Sequence, residues 1–339
     1  MRGLLLSILQ FVCVCVCVAD IPSWDSWPHQ RIQVNDDVSI HLRYYGTGPP
    51  VLLIHGNPQH SLAYSNIAPI LAENYTVICA DNRGAGDSSI PADSNYTAST
   101  HADDFKAILD FLEINSTYIF SHDKGSGIAA AFAAKYPSYV KRIGFSEYAL
   151  PGFGYEEFWT PSSGRGIGWD LYENWQLGFF SVPDAAQYFI QGREKEMLAW
   201  YFWHASYSGN EAISEAHLNR YATSISKPGF LRSMLNIFSV STVTQDASFF
   251  STSLGANPLP MPALALGGEA SFAPEDMLQQ IFGSVASDLQ VDIVPKAGHW
   301  VLDESPGWVA DRLSTFFGED SQGIPSVDLS FLADQVTLV

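Results

Sequence analysis

The chain has 339 residues, of which 47% are hydrophobic and 16% are charged. This composition predicts a globular protein with a large core and excludes an intrinsically disordered chain, because many apolar and few charged side chains favour burial. The net charge of −19 argues against a nucleic-acid partner, since phosphate binding needs clustered Lys and Arg and the chain has only 17 of them.

The N-terminus has a basic residue, then an apolar run over residues 3–18, then Ala19. This order is typical of a secretory signal peptide, which we expect residues 1–19 to form. The alternative is an N-terminal membrane anchor, although the run is shorter than the roughly 20 apolar residues of a spanning helix. Three of the four cysteines lie in this segment, so the mature chain would keep only Cys79 and form no internal disulfide.

Three N-glycosylation sequons follow, at Asn74, Asn95 and Asn115. Together with the signal peptide they favour a eukaryotic secretory route. The sequence therefore predicts a secreted glycoprotein with no stable membrane insertion after signal cleavage. If the N-terminal segment is kept, the alternative is a protein anchored in the endomembrane system.

Short apolar runs alternate with helical segments over the first part of the chain. Residues 31–45 alternate in polarity as two edge strands would. The runs that read as strands buried on both faces are 51–55, 75–79, 117–120 and 140–145. Strands and helices that alternate at this spacing predict a mostly parallel, doubly wound α/β sheet, with residues 20–149 as the first part of the core.

The pattern changes after residue 150, where a long, aromatic and mainly helical stretch begins. Apolar strands return at 262–266 and 289–294, and a helix is predicted at 307–317. Residues 150–258 are therefore expected to form a helical lid inserted between two core strands. Residues 259–318 would be the second part of the core, and residues 319–339 a peripheral C-terminal tail.

The segment Ser121-His122-Asp123-Lys124-Gly125 lies between a predicted strand and a predicted helix, and it has the form of a nucleophile elbow. Small residues two positions on either side of the reactive residue let the backbones approach closely, and Ser121 and Gly125 fill those places. The usual elbow carries a serine at its centre. Here Asp123 offers a carboxylate as the nucleophile.

Polar groups also follow other predicted strands. In an open α/β sheet the ligand lies outside the carboxyl ends of the strands, so we expect these groups to meet at one edge. The residues at those ends are His55-Gly56-Asn57-Pro58, Asp123, Glu147, Glu269 and His299.

The elbow and three further segments, 55–59, 81–86 and 298–300, together resemble the α/β-hydrolase superfamily, in particular its branch of epoxide hydrolases and hydrolytic dehalogenases. The resemblance extends over residues 30–317. It implies an α/β-hydrolase fold with an inserted lid, and a hydrolase that uses no cofactor and no metal. The aromatic lid favours an apolar small-molecule substrate, such as a secondary metabolite.

The resemblance also implies a mechanism. Asp123 would attack an sp³ carbon to form an alkyl-enzyme ester, and His299 would activate the water that hydrolyses it. The backbone N–H groups of Asn57 and Lys124 would hold the oxyanion of the second step.

Two carboxylates compete to orient His299, because each follows a core strand. Glu147 is favoured, because residues 261–272 resemble the segment of an epoxide hydrolase subfamily that places its acid after the earlier strand. Glu269 is the alternative, at the position that most of the superfamily uses.

Opening an epoxide also needs a proton donor for the leaving oxygen, for which the family uses two lid Tyr or a His and a Tyr. At the corresponding places this chain has Gln176, next to Trp175, and Phe238. An amide cannot give up a proton at working pH. We expect these three residues to line the substrate site, with Tyr172, Tyr207 or Tyr221 as candidate donors.

Other functions remain open at this stage. Haloalkane dehalogenases bind the halide with an Asn at the position of Asn57 and a Trp at that of Lys124, and only the first matches. Dehalogenases of short acids carry an Arg at the second place, so Lys124 would hold a substrate carboxylate in a halo-acid dehalogenase. A third alternative is a non-hydrolytic member that binds or cyclises its ligand. We expect His55 and His122 to be buried structural groups, and Asp81 and Arg83 to pair within a loop.

Overall fold

The structure is a computed structural model that describes residues 21–156 and 171–334. The predicted signal peptide, residues 1–19, lies outside the described residues. Across the described ranges, none of the helices combines the length and the apolar character needed to cross a bilayer.

Eight strands form a single sheet. They are β1 (His29–Gln33), β2 (Ser39–Tyr45), β3 (Pro50–Ile54), β4 (Thr76–Ala80), β5 (Thr117–His122), β6 (Val140–Ser146), β7 (Ala263–Gly268) and β8 (Leu289–Val294). Their order in the sheet is β1-β2-β4-β3-β5-β6-β7-β8. The pairs β1–β2 and β2–β4 are antiparallel, and the remaining neighbours in this sheet are parallel. The mostly parallel α/β sheet predicted from the sequence is confirmed.

Twelve α-helices surround and cap this sheet within the described ranges. They are α1 (Ala68–Leu71), α2 (Ala98–Phe111), α3 (Lys124–Lys135), α4 (Leu171–Phe180), α5 (Pro183–Ile190), α6 (Glu194–His204), α7 (Glu215–Ile225), α8 (Phe230–Asn236), α9 (Val240–Ser253), α10 (Glu275–Gly283), α11 (Val301–Glu304) and α12 (Pro306–Gly318).

The central strands are buried on both faces. Every side chain of β3, β4 and β5 is buried, which explains why their sequences read as continuous apolar runs. One hydrophobic cluster joins the sheet to α1 and α12, and the other joins it to α2, α3 and α10. This two-sided packing leaves the carboxyl ends of the strands as the edge where a site can form.

Six helices, α4 to α9, lie between β6 and β7, inside the segment expected to be the lid. Hydrogen bonds tie this insertion to the core at two places. The carbonyl oxygen of Ala205, which follows α6, accepts from the backbone N–H of His299 at 2.7 Å. Oδ1 of Asp246 on α9 accepts from the backbone N–H of Ala98 at 2.8 Å. The insertion is therefore held against the edge that carries the polar groups.

The chain after Gly318 is not peripheral, and the sequence-based expectation is corrected. Leu329 and Leu332 are buried, and the carbonyl oxygen of Leu332 accepts from Nε2 of Gln30 at 2.8 Å. The backbone N–H of Val327 donates to the carbonyl oxygen of Gly48 at 3.1 Å. These side chains lie in an apolar segment that is too short for a periodicity argument to detect, yet both meet the core.

Candidate active site

The nucleophile elbow connects β5 to α3. Asp123 has φ 50° and ψ −132°, in a region that a non-glycine residue rarely adopts. A Cβ on Gly125 would lie 2.2 Å from the carbonyl oxygen of Ile54, so only glycine fits there. Ser121 is fully buried and its Oγ donates to the carbonyl oxygen of Gly144 at 2.8 Å. The small residues identified in the sequence are thus required by the close approach of neighbouring strands.

The two carboxylate oxygens of Asp123 have different surroundings. Oδ1 accepts from the backbone N–H of Asn57 at 2.8 Å, and the backbone N–H of Lys124 also donates to this carboxylate. Oδ2 lies 3.6 Å from Nε2 of His299. Burial raises the pKa of Asp123, although the charges of His299 and Lys124 and the two N–H groups act in the opposite direction. One oxygen is therefore held by the backbone, while the other faces the histidine.

Glu147 orients the imidazole of His299. Nδ1 of His299 donates to Oε2 of Glu147 at 2.9 Å, and Glu147 is fully buried at the end of β6. Oε1 of Glu147 accepts from the backbone N–H of Gly268 and from Oγ of Ser271, both at 2.6 Å. With Nδ1 bonded in this way, Nε2 is the basic nitrogen, and it has no hydrogen-bond partner among the described residues.

The pKa of His299 is raised. Burial alone lowers it, but the hydrogen bond and charge of Glu147 outweigh burial, with smaller contributions from Asp123 and Glu304. A raised pKa makes the imidazole a stronger base toward water.

Glu269, the alternative acid, does not contact His299. It is exposed, and its Oε2 accepts from the backbone N–H of Lys296 at 2.8 Å. The alternative is therefore contradicted. Both glutamates follow core strands, but the chain turns sharply at Glu147, where φ is 55°, and this turn directs its carboxylate to the imidazole.

A cavity of about 70 Å³ lies over Asp123 and His299. Gln176 and Phe238, two of the residues expected to line the site, do line it. The remaining described residues that line the cavity are Lys124, Tyr148, Ala149, Tyr155, Leu177, Tyr201, His204, Ala205, Ala270, Ser271 and Phe272.

The ammonium group of Lys124 is enclosed by aromatic rings. Nζ lies 3.9 Å from the ring centroid of Tyr155, 4.8 Å from that of Phe238 and 5.6 Å from that of Tyr148. Only 4% of Lys124 is exposed. Burial lowers the pKa of Lys124 to about 8, against the charges of Asp123, Asp246 and Glu156, which act to raise it.

Comparison with known proteins identifies the fold. Residues 49–164 match the α/β-hydrolase fold family. The chain is 26% identical over 292 residues to a soluble epoxide hydrolase of Corynebacterium sp. (strain C12). This alignment covers 85% of this chain and 96% of that protein. The crystal structure of wild-type Cfl2 from Burkholderia cenocepacia is 26% identical and superposes with a TM-score of 0.77, over 85% of this chain and 95% of that one. The chain has the α/β-hydrolase fold.

A shorter match is to a fluoroacetate dehalogenase of Burkholderia sp., 36% identical over 108 residues, or 31% of this chain and 36% of that protein. Together these relatives support a hydrolase of the α/β-hydrolase fold.

Trp175 of this α/β hydrolase is not among the described residues that line the cavity, so the prediction that it lines the substrate site is corrected. The indole is 43% exposed and packs against Trp200 and Phe179, with ring centroids 5.2 Å and 5.8 Å away. Successive side chains on a helix point about 100° apart, so when Gln176 points into the cavity, Trp175 points toward solvent.

The tyrosines proposed from the sequence as proton donors are not those that line the cavity. Tyr207 is 50% exposed, and the hydroxyl of Tyr221 is buried and accepts from Nε2 of Gln59 at 3.3 Å. The side chain of Tyr172 lies outside the described residues.

Instead Tyr148, Tyr155, Tyr201 and His204 line the cavity of this α/β hydrolase together with Asp123. One signal was available in the sequence: Tyr201 and His204 are three residues apart and therefore share a face of α6.

His55 and His122 are buried beneath the elbow of the α/β hydrolase. Nε2 of His55 accepts from the backbone N–H of Asn82 at 2.8 Å, and Nε2 of His122 donates to the carbonyl oxygen of His299 at 2.8 Å. Burial lowers the pKa of His55 to about 4 and that of His122 to about 3, so both are neutral. Their contacts are structural, to the backbone that carries the site.

Asp81 and Arg83 do not pair with each other, contrary to expectation. Oδ2 of Asp81 contacts Nδ1 of His41 at 2.8 Å. Arg83 forms a bidentate pair with Asp104, with N–O distances of 2.6 Å and 2.7 Å. The sequence places Asp81 and Arg83 close together, but it does not show that their partners, His41 and Asp104, come from other elements.

Three residues of types that can bind a metal ion lie close together in the described part of the chain. They are His41, Asp81 and Asp87, and one atom of each lies within 4.8 Å of the others. Lys227 also binds Asp87, at 2.8 Å. These groups are occupied by protein partners, and none of them lines the cavity of the α/β hydrolase. We assign no metal to them.

Two of the three sequon asparagines, Asn74 and Asn115, are exposed. Asn95 is partly buried, and its Oδ1 accepts from the backbone N–H of Thr97 at 3.1 Å. Glycosylation and secretion of this α/β hydrolase stay predictions.

Proposed function

We propose that this α/β hydrolase acts as an epoxide hydrolase, with Asp123 as the nucleophile and an alkyl-enzyme ester as the intermediate. The observation that carries the proposal is the unequal environment of the two carboxylate oxygens. Oδ1 is held by the backbone N–H of Asn57, so Oδ2 is the oxygen free to attack. A serine hydrolase needs a base to activate its nucleophile, whereas a carboxylate is already ionised at neutral pH.

In the first step Oδ2 of Asp123 attacks an epoxide carbon and the ring C–O bond breaks. Oδ1 becomes the carbonyl oxygen of the ester and stays on the backbone N–H of Asn57. In the second step Nε2 of His299 takes a proton from water, and the resulting hydroxide attacks the ester carbon. The N–H groups of Asn57 and Lys124 then stabilise the oxyanion, as an oxyanion hole does. Collapse of this intermediate releases a diol.

Glu147 stabilises the imidazolium that forms during the second step. Its carboxylate is buried and accepts three hydrogen bonds, from His299, Gly268 and Ser271. A fixed negative charge at Nδ1 favours proton uptake at Nε2. Glu147 is therefore a positioning residue, while Asp123 and His299 are the catalytic ones.

The cavity supports a small, largely apolar substrate, because aromatic rings form much of its wall. The printed names of the Corynebacterium relative and of the mouse relative, epoxide hydrolase 3, favour an epoxide. A secondary metabolite with an epoxide ring fits this description.

Dehalogenation of a short halo-acid is the second candidate, and Lys124 favours it. Its ammonium group lines the cavity and would attract a substrate carboxylate. The similarity to a fluoroacetate dehalogenase supports the same reading. A haloalkane is disfavoured as the natural substrate, since Nδ2 of Asn57 donates to the carbonyl oxygen of Met234 at 3.2 Å and Lys124 replaces the expected Trp.

The ester mechanism is tested by repeated turnover of a panel of aryl and alkyl epoxides and fluoroacetate in heavy-oxygen water, followed by mass spectrometry of the peptide that contains Asp123. We expect the label to enter the Asp123 carboxylate, and His299→Gln to accumulate the ester. Asp123→Asn is the matched control that forms none. Turnover without label in Asp123 would refute the mechanism. Ligand binding that survives in both variants, with no turnover in the native protein, would indicate a non-hydrolytic member of the fold.

A further inference from the structure

Lys124 is a buried cation without a counter-ion in contact. No carboxylate oxygen lies within 4.0 Å of Nζ in the parts of the chain that the structure describes, and the nearby Asp123 pairs with His299. Its nearest neighbours are the faces of Tyr155, Phe238 and Tyr148. Burying a charge without a paired anion is costly, so such a group at the centre of a cleft points to a function.

The proposed reaction lacks one component. When Asp123 opens an epoxide, the leaving oxygen becomes an alkoxide that must receive a proton. Gln176 lines the cavity, but an amide gives up no proton at working pH. Burial raises the pKa of Tyr148, Tyr155 and Tyr201 above the ordinary tyrosine value, which makes them weaker acids than free tyrosine.

We infer that Nζ of Lys124 donates the proton to the leaving oxygen of an epoxide as Asp123 attacks. The inference rests on the proposed function. The ammonium group lines the same cavity as the nucleophile and belongs to the adjacent residue. Aromatic faces hold a cation but accept no strong hydrogen bond from it, so its N–H groups remain available to a substrate oxygen.

The proton balance closes over the full cycle. In the first step one Oδ2–C bond forms, the ring C–O bond breaks, and the oxygen takes a proton from Lys124, which becomes a neutral amine. In the second step His299 takes a proton from water and returns it to the alkoxide that leaves the ester. The hydroxide oxygen stays on Asp123 as a carboxylic acid, whose proton then returns to Lys124. Neither an oxidant nor a cofactor is needed.

The acid strength of Lys124 suits this role. Burial lowers the pKa of its ammonium to about 8, so it is mostly protonated at neutral pH and is a stronger acid than an ordinary lysine. The charged groups that face it are Asp123, Asp246 on α9 and Glu156, each of which favours the protonated form. Burial raises the pKa of Asp246 to about 7.

The test measures the rate of ester formation alone, in the His299→Gln variant, which serves as the parent protein. The probes are styrene oxide, whose oxygen needs a proton, and phenethyl bromide, whose bromide leaves without one. Rates of ester formation are measured for this parent and after adding Lys124→Met or Lys124→Arg. Met removes the charge at similar length, and Arg keeps the charge but does not release a proton. Both retain the backbone N–H, and the bromide rate reports whether the pocket is intact.

We expect the ratio of the epoxide rate to the bromide rate to fall about 100-fold or more in both variants, the usual contribution of general acid catalysis. In the parent, the epoxide rate should decline above pH of about 8, as Lys124 loses its proton, while the bromide rate does not.

Three results would overturn the inference while leaving the proposed function in place. The first is an epoxide-to-bromide rate ratio that is unchanged in Lys124→Met. The second is a ratio that Lys124→Arg keeps at the parent's value, which would show that a fixed charge suffices. The third is a ratio that falls in His204→Gln or Tyr201→Phe but not in Lys124→Met. Failure of the parent to form an ester with either probe or with the wider epoxide panel would overturn the proposed function, and the inference with it.

Discussion

The carboxylate of Glu147 lies 2.9 Å from Nδ1 of His299, although 152 residues separate the two in the sequence. The helical lid and two core strands lie between them along the chain. The contact assigns the basic role to Nε2, and it joins the end of β6 to the loop after β8 at the carboxyl edge of the sheet.

Glu147→Gln should slow hydrolysis of the ester more than its formation. The amide keeps the shape of the side chain but removes the charge that stabilises the imidazolium. We expect the deacylation rate to fall about 100-fold, within the range of general base catalysis. Glu269→Gln is the matched control and should change it less than twofold. Quenched-flow mass spectrometry of the ester measures both rates, and equal effects of the two variants would contradict the assignment.

Hydrolysis of the ester should accelerate as the pH rises through the pKa of His299. Nε2 accepts a proton only when the imidazole is neutral, and the pKa is raised above 6.5, so the midpoint should lie above pH 6.5. In Glu147→Gln the midpoint should move to lower pH, because the largest interaction that raises the pKa is removed. Single-turnover deacylation rates measured against pH test both statements. A midpoint that does not move in the variant would contradict them.

Gly125→Ala should destabilise the protein strongly. The new Cβ would lie 2.2 Å from the carbonyl oxygen of Ile54, a backbone atom that cannot move without disturbing β3. We expect a loss of about 3 kcal/mol in the free energy of unfolding, at the upper end of overpacking effects. Gly178→Ala on α4 is the control. Its Cβ would meet no atom within 4 Å, so the variant should be about 0.5–1 kcal/mol more stable. Urea unfolding compares the two.

Arg83→Met should destabilise the fold by about 3–5 kcal/mol, because it leaves the buried Asp104 carboxylate without its partner. Both side chains are almost fully buried, at 3% and 4% exposure. Adding Asp104→Leu should recover most of the loss, since an apolar pair of similar volume replaces a buried ion pair at little cost. Urea unfolding at neutral pH measures each variant. If the free energy of unfolding of Arg83→Met were within about 1 kcal/mol of the parent's, this pair would not matter for stability.

Much of the core was predictable because its signals are local. The strand predicted at 289–294 coincides with β8, and the continuous apolar runs at 51–55 and 75–79 became β3 and β4. Such runs arise wherever both faces of a strand are covered. The C-terminal tail was mispredicted because the apolar segment that holds Leu329 and Leu332 is too short to show a periodic pattern, although both side chains reach the core.

The lid was the least predictable region of the site. Helical periodicity locates the helices, but it does not say which face of a helix meets the nucleophile. Trp175 and Gln176 are neighbours, yet only Gln176 lines the cavity. Tyr148 and Tyr155 follow β6 in an irregular segment, where no periodicity is available to place their rings beside Lys124.

By itself the sequence located the elbow and placed a carboxylate at its centre, because a carboxylate between small residues at a strand-to-helix turn is a local pattern. It also determined the alternation of strands and helices, which follows from burial of the sheet on both faces. The sequence favoured Glu147 over Glu269, and the tertiary structure decided between them, since both follow strands of the same edge and only side-chain direction separates them. Tertiary structure also decided the surroundings of Lys124, because the rings that enclose its ammonium group come from three separate places in the chain.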